Sequence, residues 1–113
     1  MLDYRYYRER IVKTFKFIVP PDKKVLFFGC LDGSMLFALS PRVGVGIEEN
    51  KTLVALARKK YPTLTFGSSL DGIKTNQKFD FIILHGSLGQ AKDIMTILRE
   101  IQKFCHPSTR IVV

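Results

Sequence analysis

No stretch of the sequence approaches the roughly 20 consecutive apolar residues that a membrane-spanning helix needs. Apolar runs such as Phe79 to Leu84 stop far short of it, and Met1 opens into charged residues rather than into the apolar core of a signal peptide. The expectation is a cytoplasmic protein with no membrane span. Cysteine is scarce too. Cys30 and Cys105 are the only two, too few for a disulfide framework or a zinc-type ligand cluster, so two reduced thiols and no metal site are expected. Low-complexity segments are missing as well. With 46% hydrophobic and 25% charged residues, the chain has the balance of a folded protein rather than a disordered one. Its 113 residues fit one domain, near the lower end of the range in which a single core forms comfortably.

Acidic residues are few: 10 against 18 lysines and arginines, a formal charge of +8. Such an excess attracts phosphate at long range, which raises nucleic acid as a partner. The basic residues concentrate at Arg5 to Lys16, Lys23 to Lys24, Arg58 to Lys60 and the C-terminal third. That spread also suits solvated helix faces and strand entries, the reading favoured here, and polyanion binding through the basic N-terminal segment stays open beside it.

What is present is an alternation of helical and strand patterns. Tyr7, Ile11, Val12, Phe15 and Ile18 recur at helical spacing between basic residues, predicting an amphipathic helix over residues 4–19 that Pro20 and Pro21 end. Residues 1–21 thus form an N-terminal helix and break, and residues 22–113 an α/β core within a single domain. Lys24 to Phe28 reads as a buried strand, Ser34 to Leu39 as a short helix, and Val43 to Ile47 as a second buried strand despite two glycines. A helix capped by Asn50 or Thr52 runs to Lys60, where three basic residues suit its C-terminal dipole. Leu64 to Phe66 gives a third strand, Phe79 to Leu84 a fourth, Gln90 to Phe104 a helix, and Arg110 to Val113 a fifth strand after the His106-Pro107 break. Strands alternating with helices predict a doubly wound, mainly parallel sheet of about five strands with helices on both faces. The last strand ends without a polar exit, so a domain cut from a longer protein is expected. Its apolar edge invites pairing with a second copy.

Ligands of such sheets bind beyond the carboxyl ends of the strands, where a glycine-rich turn lets backbone approach closely. Gly29-Cys30-Leu31-Asp32-Gly33 occupies that place. The dinucleotide fingerprint asks for glycine at the first, third and sixth positions, here Gly29, Leu31 and Ser34, so a nicotinamide or flavin cofactor is disfavoured. The stretch Val25 to Ser34 resembles instead the first motif of the class I S-adenosylmethionine-dependent methyltransferases: two apolar residues, an acid, an apolar residue, then Gly-Cys-Gly-x-Gly. Gly29, Cys30 and Gly33 agree. Phe27 replaces the acid, which in the family organises the methionine end of the cofactor, and Leu31 replaces the middle glycine, which keeps a Cβ away from the ligand. Gly44-Val45-Gly46-Ile47-Glu48 is similar to the second motif, placing a carboxylate where it accepts hydrogen bonds from both ribose hydroxyls. The order of elements follows the family across nearly the whole chain, although a complete family domain has seven strands.

The resemblance implies S-adenosylmethionine as cofactor, a Rossmann-like fold, and methyl transfer to an acceptor that the sequence does not identify. Gly29, Cys30 and Gly33 would approach the cofactor, Glu48 would hold the ribose, and Ser69 and Leu70 would border the adenine. Ser68 stands where the family places an acid at the adenine, with Asp71 as a substitute. His85, in the loop Leu84 to Gly89 where methyl group and acceptor meet in the family, is the candidate general base; the alternative is a polar loop residue. The two departures in the first motif leave open whether the chain is an enzyme or a non-catalytic methyltransferase-like interaction or regulatory module.

Overall fold

The computed structural model describes residues 4–73, 76–85 and 94–113. Its elements are α1 (Tyr4–Ile18), β1 (Lys24–Phe28), α2 (Ser34–Ala38), β2 (Val43–Ile47), α3 (Lys51–Lys60), β3 (Thr65–Gly67), β4 (Phe79–Leu84), α4 (Ile94–Ile101) and β5 (Cys105–Val112), with single 3-10 turns at Leu70–Gly72 and Gln102–Phe104. The strands form one five-stranded sheet in the order β3-β2-β1-β4-β5, and every pairing is parallel. The doubly wound architecture read from the sequence is therefore the observed one.

β1 lies at the centre and reads as unbroken apolar sequence because it is buried on both faces. Val25 and Phe27 point into one core with Phe15, Val19, Met35, Leu36 and Phe66, while Leu26 points into the other with Phe79, Ile82, Ile101 and Phe104. α1, α2 and α3 cover the first core; α4 and the two 3-10 turns cover the second. Phe27 is fully buried, and truncating such a side chain to alanine costs about 3–5 kcal/mol.

The two glycines of β2 have a packing reason. A Cβ on Gly46 would lie 2.7 Å from the Cys30 sulfur and 2.8 Å from the Phe66 ring, so only a bare Cα lets the turn after β1 and the strand β3 close over β2. Asn50 caps α3: its side-chain oxygen accepts from the amides of Thr52 and Leu53 at 3.0 and 3.2 Å, satisfying two of the unpaired donors of the first turn.

Differences from the sequence reading are confined to element ends and to β5. β3 is shifted by one residue, to Thr65–Gly67. β5 starts at Cys105 and runs through Pro107, which an edge strand tolerates because one side of its backbone has no ladder to donate to. Its register jumps between the pairs Phe79↔Cys105 and Phe81↔Arg110. The jump is pinned by polar groups: Thr109 donates its hydroxyl to the Phe79 carbonyl at 2.5 Å and accepts from the His106 amide at 2.8 Å. The expected start of the last helix at Gln90 falls outside the described residues, as does most of the loop from Gly86 to Gly89. Among the described residues no helix is long and apolar enough to cross a membrane, and no group of His, Cys, Asp and Glu is placed to hold a metal ion.

Candidate functional site

The carboxyl ends of β1, β2 and β4 converge on one patch of backbone. The Ile47 carbonyl accepts from the amides of Gly29 and Cys30 at 2.8 and 3.3 Å, the Phe28 carbonyl accepts from the His85 amide at 3.0 Å, and the Gly67 carbonyl accepts from the Glu48 amide at 3.0 Å. These four bonds bring the turn after β1, the acid after β2, the end of β3 and the histidine after β4 together. Gly29, Cys30, Gly33, Glu48 and His85 thus surround the switch point at which α/β sheets bind ligands.

The turn has positive φ at three alternate residues: Gly29 at 77°, Leu31 at 54° and Gly33 at 86°. These are the three positions at which the Gly-Cys-Gly-x-Gly pattern has glycine. Leu31 keeps the left-handed backbone without the residue suited to it, at a cost of about 1–2 kcal/mol. Its amide is turned toward Glu48 and donates to Oε1 at 3.1 Å, and its side chain packs at the border of the first core. A hydrogen bond to a charged acceptor is worth about 1.5–3 kcal/mol, enough to hold the strained residue in place.

Glu48 is the one buried charged residue among those described. Its second oxygen, Oε2, accepts from the Asn50 amide at 2.9 Å. A carboxylate has about four acceptor positions, so two are used and two are left for a ligand. Asp32, next in the turn, accepts from the Ser34 amide and hydroxyl at 3.1 and 2.7 Å and pairs with Lys60 at 3.1 Å. Partial burial pushes its carboxyl up, but the Ser34 bonds and the Lys60 ammonium outweigh this and hold it below the ordinary aspartate value.

Cys30 is fully buried against Gly46. Burial, reinforced by the nearby Glu48 charge, pushes its thiol up to about 12. It is a packed neutral group rather than a nucleophile. Phe27, at the position of the family's acid, has its ring edge-on to Phe15 with centroids 5.6 Å apart and edge-on to His85 at 6.3 Å. His85 completes the cluster, edge-on to Phe15 at 5.6 Å. Its half-buried ring makes no hydrogen bond to another described residue, and burial lowers its pKa. The imidazole is therefore neutral at neutral pH.

Beyond β3, Ser69 is exposed with extended backbone at the entrance of the 3-10 turn. Leu70 is tucked into the second core, so its side chain serves packing and only its backbone borders the loop. Asp71 is exposed.

Two arrangements escaped the sequence reading. Arg58 reaches from α3 to clamp the Phe66 carbonyl with two bonds of 3.1 and 2.8 Å, fixing β3 against the site. At the opposite end of the sheet, Asp80 accepts from the Lys24 amide at 2.9 Å and pairs with His106 Nε2 at 2.9 Å. His106 Nδ1 accepts from the Ser108 amide at 3.1 Å, which leaves Nε2 as the protonated nitrogen. The signal was available: Asp80 is a lone acid inside an otherwise apolar strand, and such an acid needs a partner.

No family model and no curated protein sequence matches the chain. Solved structures do. The YcgJ protein from Bacillus subtilis superposes with a TM-score of 0.74 at 15% identity, over 91% of this chain and 49% of that one. An S-adenosylmethionine-dependent methyltransferase from Thiobacillus denitrificans, in complex with S-adenosyl-L-homocysteine, does so with a TM-score of 0.69 at 18% identity, over 88% of this chain and 45% of that one. The N-methyltransferase NodS from Bradyrhizobium japonicum gives 0.70 at 17% identity, over 96% and 67%. The chain spans about half the length of the first two and two thirds of the third. Its five parallel strands and their flanking helices have the fold of the class I S-adenosylmethionine-dependent methyltransferases.

Proposed function

We propose that this chain is an S-adenosylmethionine-binding domain that contributes to methyl transfer onto an acceptor still to be identified. The observation that carries the reading is the Glu48 carboxylate: buried, anchored by two backbone amides, and left with two acceptor positions beside a turn whose backbone has three left-handed residues. A cis-diol offers two donors to fill such positions. In this reading Glu48 holds the ribose, and the backbone of Gly29, Cys30 and Gly33 lets the ligand approach. Ser69 and the backbone of Leu70 border the base. The bound cofactor supplies the activated methyl group. His85, neutral at neutral pH, is then able to accept a proton from the acceptor. Methyl transfer to a good nucleophile also proceeds by positioning alone.

A second reading, a non-catalytic methyltransferase-like module, is favoured by the corner around Phe27. The acid that organises the methionine end in the family is replaced by a ring packed between Phe15 and His85, which offers an ammonium group no anionic partner. Such a module would act by association, with the edge strand β5 and its exposed Ile111 as the surface for a second copy.

Isothermal titration calorimetry with S-adenosylmethionine and S-adenosylhomocysteine, with NAD as control, separates the two. Micromolar binding of either ligand, absent for NAD and weakened at least tenfold in Glu48→Gln, supports the cofactor site. Glutamine is the better test than alanine because it keeps an acceptor for the Leu31 or Asn50 amide. No heat from a folded chain removes the cofactor reading and leaves the module.

A further inference from the structure

Nine of the 18 lysines and arginines lie in two helices of the same layer. α1 carries Arg5, Arg8, Arg10, Lys13 and Lys16 against the single acid Glu9, and α3 carries Lys51, Arg58, Lys59 and Lys60 with no acid at all. Both pack on the first core, and α2 touches each: α1 directly, and the end of α3 through the stacked rings of Phe37 and Tyr61, 4.6 Å apart. On the other face α4 balances Arg99 with Glu100. Solvated helix faces commonly carry both signs interspersed; these two helices carry nine cations to one acid.

Between α1 and α2 runs a groove of about 330 Å³ with Val12 at its base, Arg8, Lys13 and Lys16 along one side, and Ser34 and Ala38 on the other. Glu9 is the only acid lining it. Among the described residues none of the three cations has an ion-pair partner, whereas Asp32, bonded to Ser34 on the far side, is already answered by Lys60. From Arg8 to Lys16 the helix advances about 12 Å, the length of three to four phosphates of one stacked strand at about 3.4 Å each. On the opposite flank of α1 a second hollow, about 320 Å³, is lined by Tyr6, Tyr7, Arg10, Ile11 and Thr14. Tyr6 and Tyr7 are half-exposed there, and Tyr6 already carries the Arg10 guanidinium over its face at 5.7 Å.

We propose that this basic groove binds the phosphodiester backbone of a single-stranded nucleic acid. A cationic track of this length is what the backbone of a single strand needs, and charge contacts of this kind take a strand without regard to sequence. An anionic membrane surface fits less well. An interfacial helix must turn its apolar stripe toward lipid, and the stripe of α1, through Ile11, Val12 and Phe15, is spent on the core. The inference does not depend on a cofactor occupying the site around Glu48.

The test is fluorescence anisotropy of the full chain with labelled single-stranded DNA and RNA oligonucleotides of mixed sequence, over about 50–300 mM salt. A groove variant, Arg8→Gln/Lys13→Gln/Lys16→Gln, is compared with Lys23→Gln/Arg99→Gln/Lys103→Gln, which removes the same charge from exposed positions outside the groove and its layer; circular dichroism melts check that both fold. The groove variant should lose at least tenfold in affinity and flatten the log K against log salt slope by about 2, since each lost phosphate contact removes ~0.7. The control should lose less than threefold, and Tyr7→Ala, on the opposite flank of α1, no more than the control. Tighter binding of RNA than DNA, or equal binding of both, is in keeping with the proposal and says which strand is favoured. No binding at the lowest salt, equal loss in both triple variants, or binding to phosphatidylserine vesicles but not to oligonucleotides would overturn it.

Discussion

The Leu31 amide donates to the Glu48 carboxylate at 3.1 Å, so the residue that departs from the glycine pattern of the turn is held in its left-handed conformation by the acid proposed to take the ribose. Strain and site are coupled through one hydrogen bond. Leu31→Gly removes the Cβ from the path proposed for the ligand and relieves about 1–2 kcal/mol of backbone strain, offset by the added freedom of glycine in the unfolded chain, about 0.5–1 kcal/mol, and by lost packing. The expected outcome is a melting free energy within about 1 kcal/mol of the parent and at least threefold tighter S-adenosylhomocysteine binding by calorimetry. Weaker binding would mean that the leucine side chain supports the ligand instead of narrowing its path.

Gly46→Ala should destabilise the chain by about 1–3 kcal/mol, the usual cost of forcing an extra carbon into a filled core. The new Cβ meets the Cys30 sulfur and the Phe66 ring at once, and both belong to rigid, buried elements. Urea denaturation reads the loss as a lower midpoint with unchanged slope. Pairing the substitution with Cys30→Ala should recover part of it; no recovery would place the clash on Phe66 alone.

How far the sequence could be read follows from what each pattern depends on. β1, β2 and β4 were legible to the residue because strands buried on both faces are dominated by apolar residues, here interrupted only by Lys24, Gly44, Gly46 and Asp80. The carboxyl-end cluster was legible because Gly29, Gly33 and Glu48 stand at fixed offsets from those strands. β5 was misjudged at its start, since His106-Pro107 reads as a break in any local window. Only the tertiary partners Asp80 and Phe79, 26 and 30 residues away in sequence from His106 and Thr109, explain why a strand passes through it. The aromatic enclosure of His85 was invisible for the same reason: Phe15 and Phe27 meet it only after the helix α1 folds back on the sheet.

Asp80 ties the first residue of β1 and the irregular start of β5 to the start of β4. The Lys24 amide, followed by His106, keeps its carboxyl below the ordinary aspartate value. Asp80→Ala should therefore cost about 1 kcal/mol, a modest figure because the pair is one third exposed. The larger effect should be local: hydrogen exchange of β5 amides accelerates while that of β2 amides follows global stability. Uniform acceleration across the sheet would instead mean that the pair contributes only to overall stability.

His85 sets the pH dependence on the acid side of neutrality. Its folded pKa lies below the ordinary value of 6.5 because burial beside Phe15 and Phe27 disfavours the charged ring. The unfolded chain thus binds a proton that the folded chain refuses, and stability falls as pH drops below about 6.5, until the folded ring is protonated as well. The paired carboxylates act lower, since Asp32 and Asp80 are depressed below 3.8; the stability they contribute is present above that value and lost as pH falls through their folded pKa values. His85→Phe keeps the aromatic contacts and removes the titrating ring, so its melting temperature should decline less than the parent's between pH 7 and about 5. Both proteins keep His106, so the difference between the two curves belongs to His85. Parallel curves would show that the ring takes up its proton in the folded chain as readily as in the unfolded one, and that the cluster around Phe27 is open enough to solvate the charge.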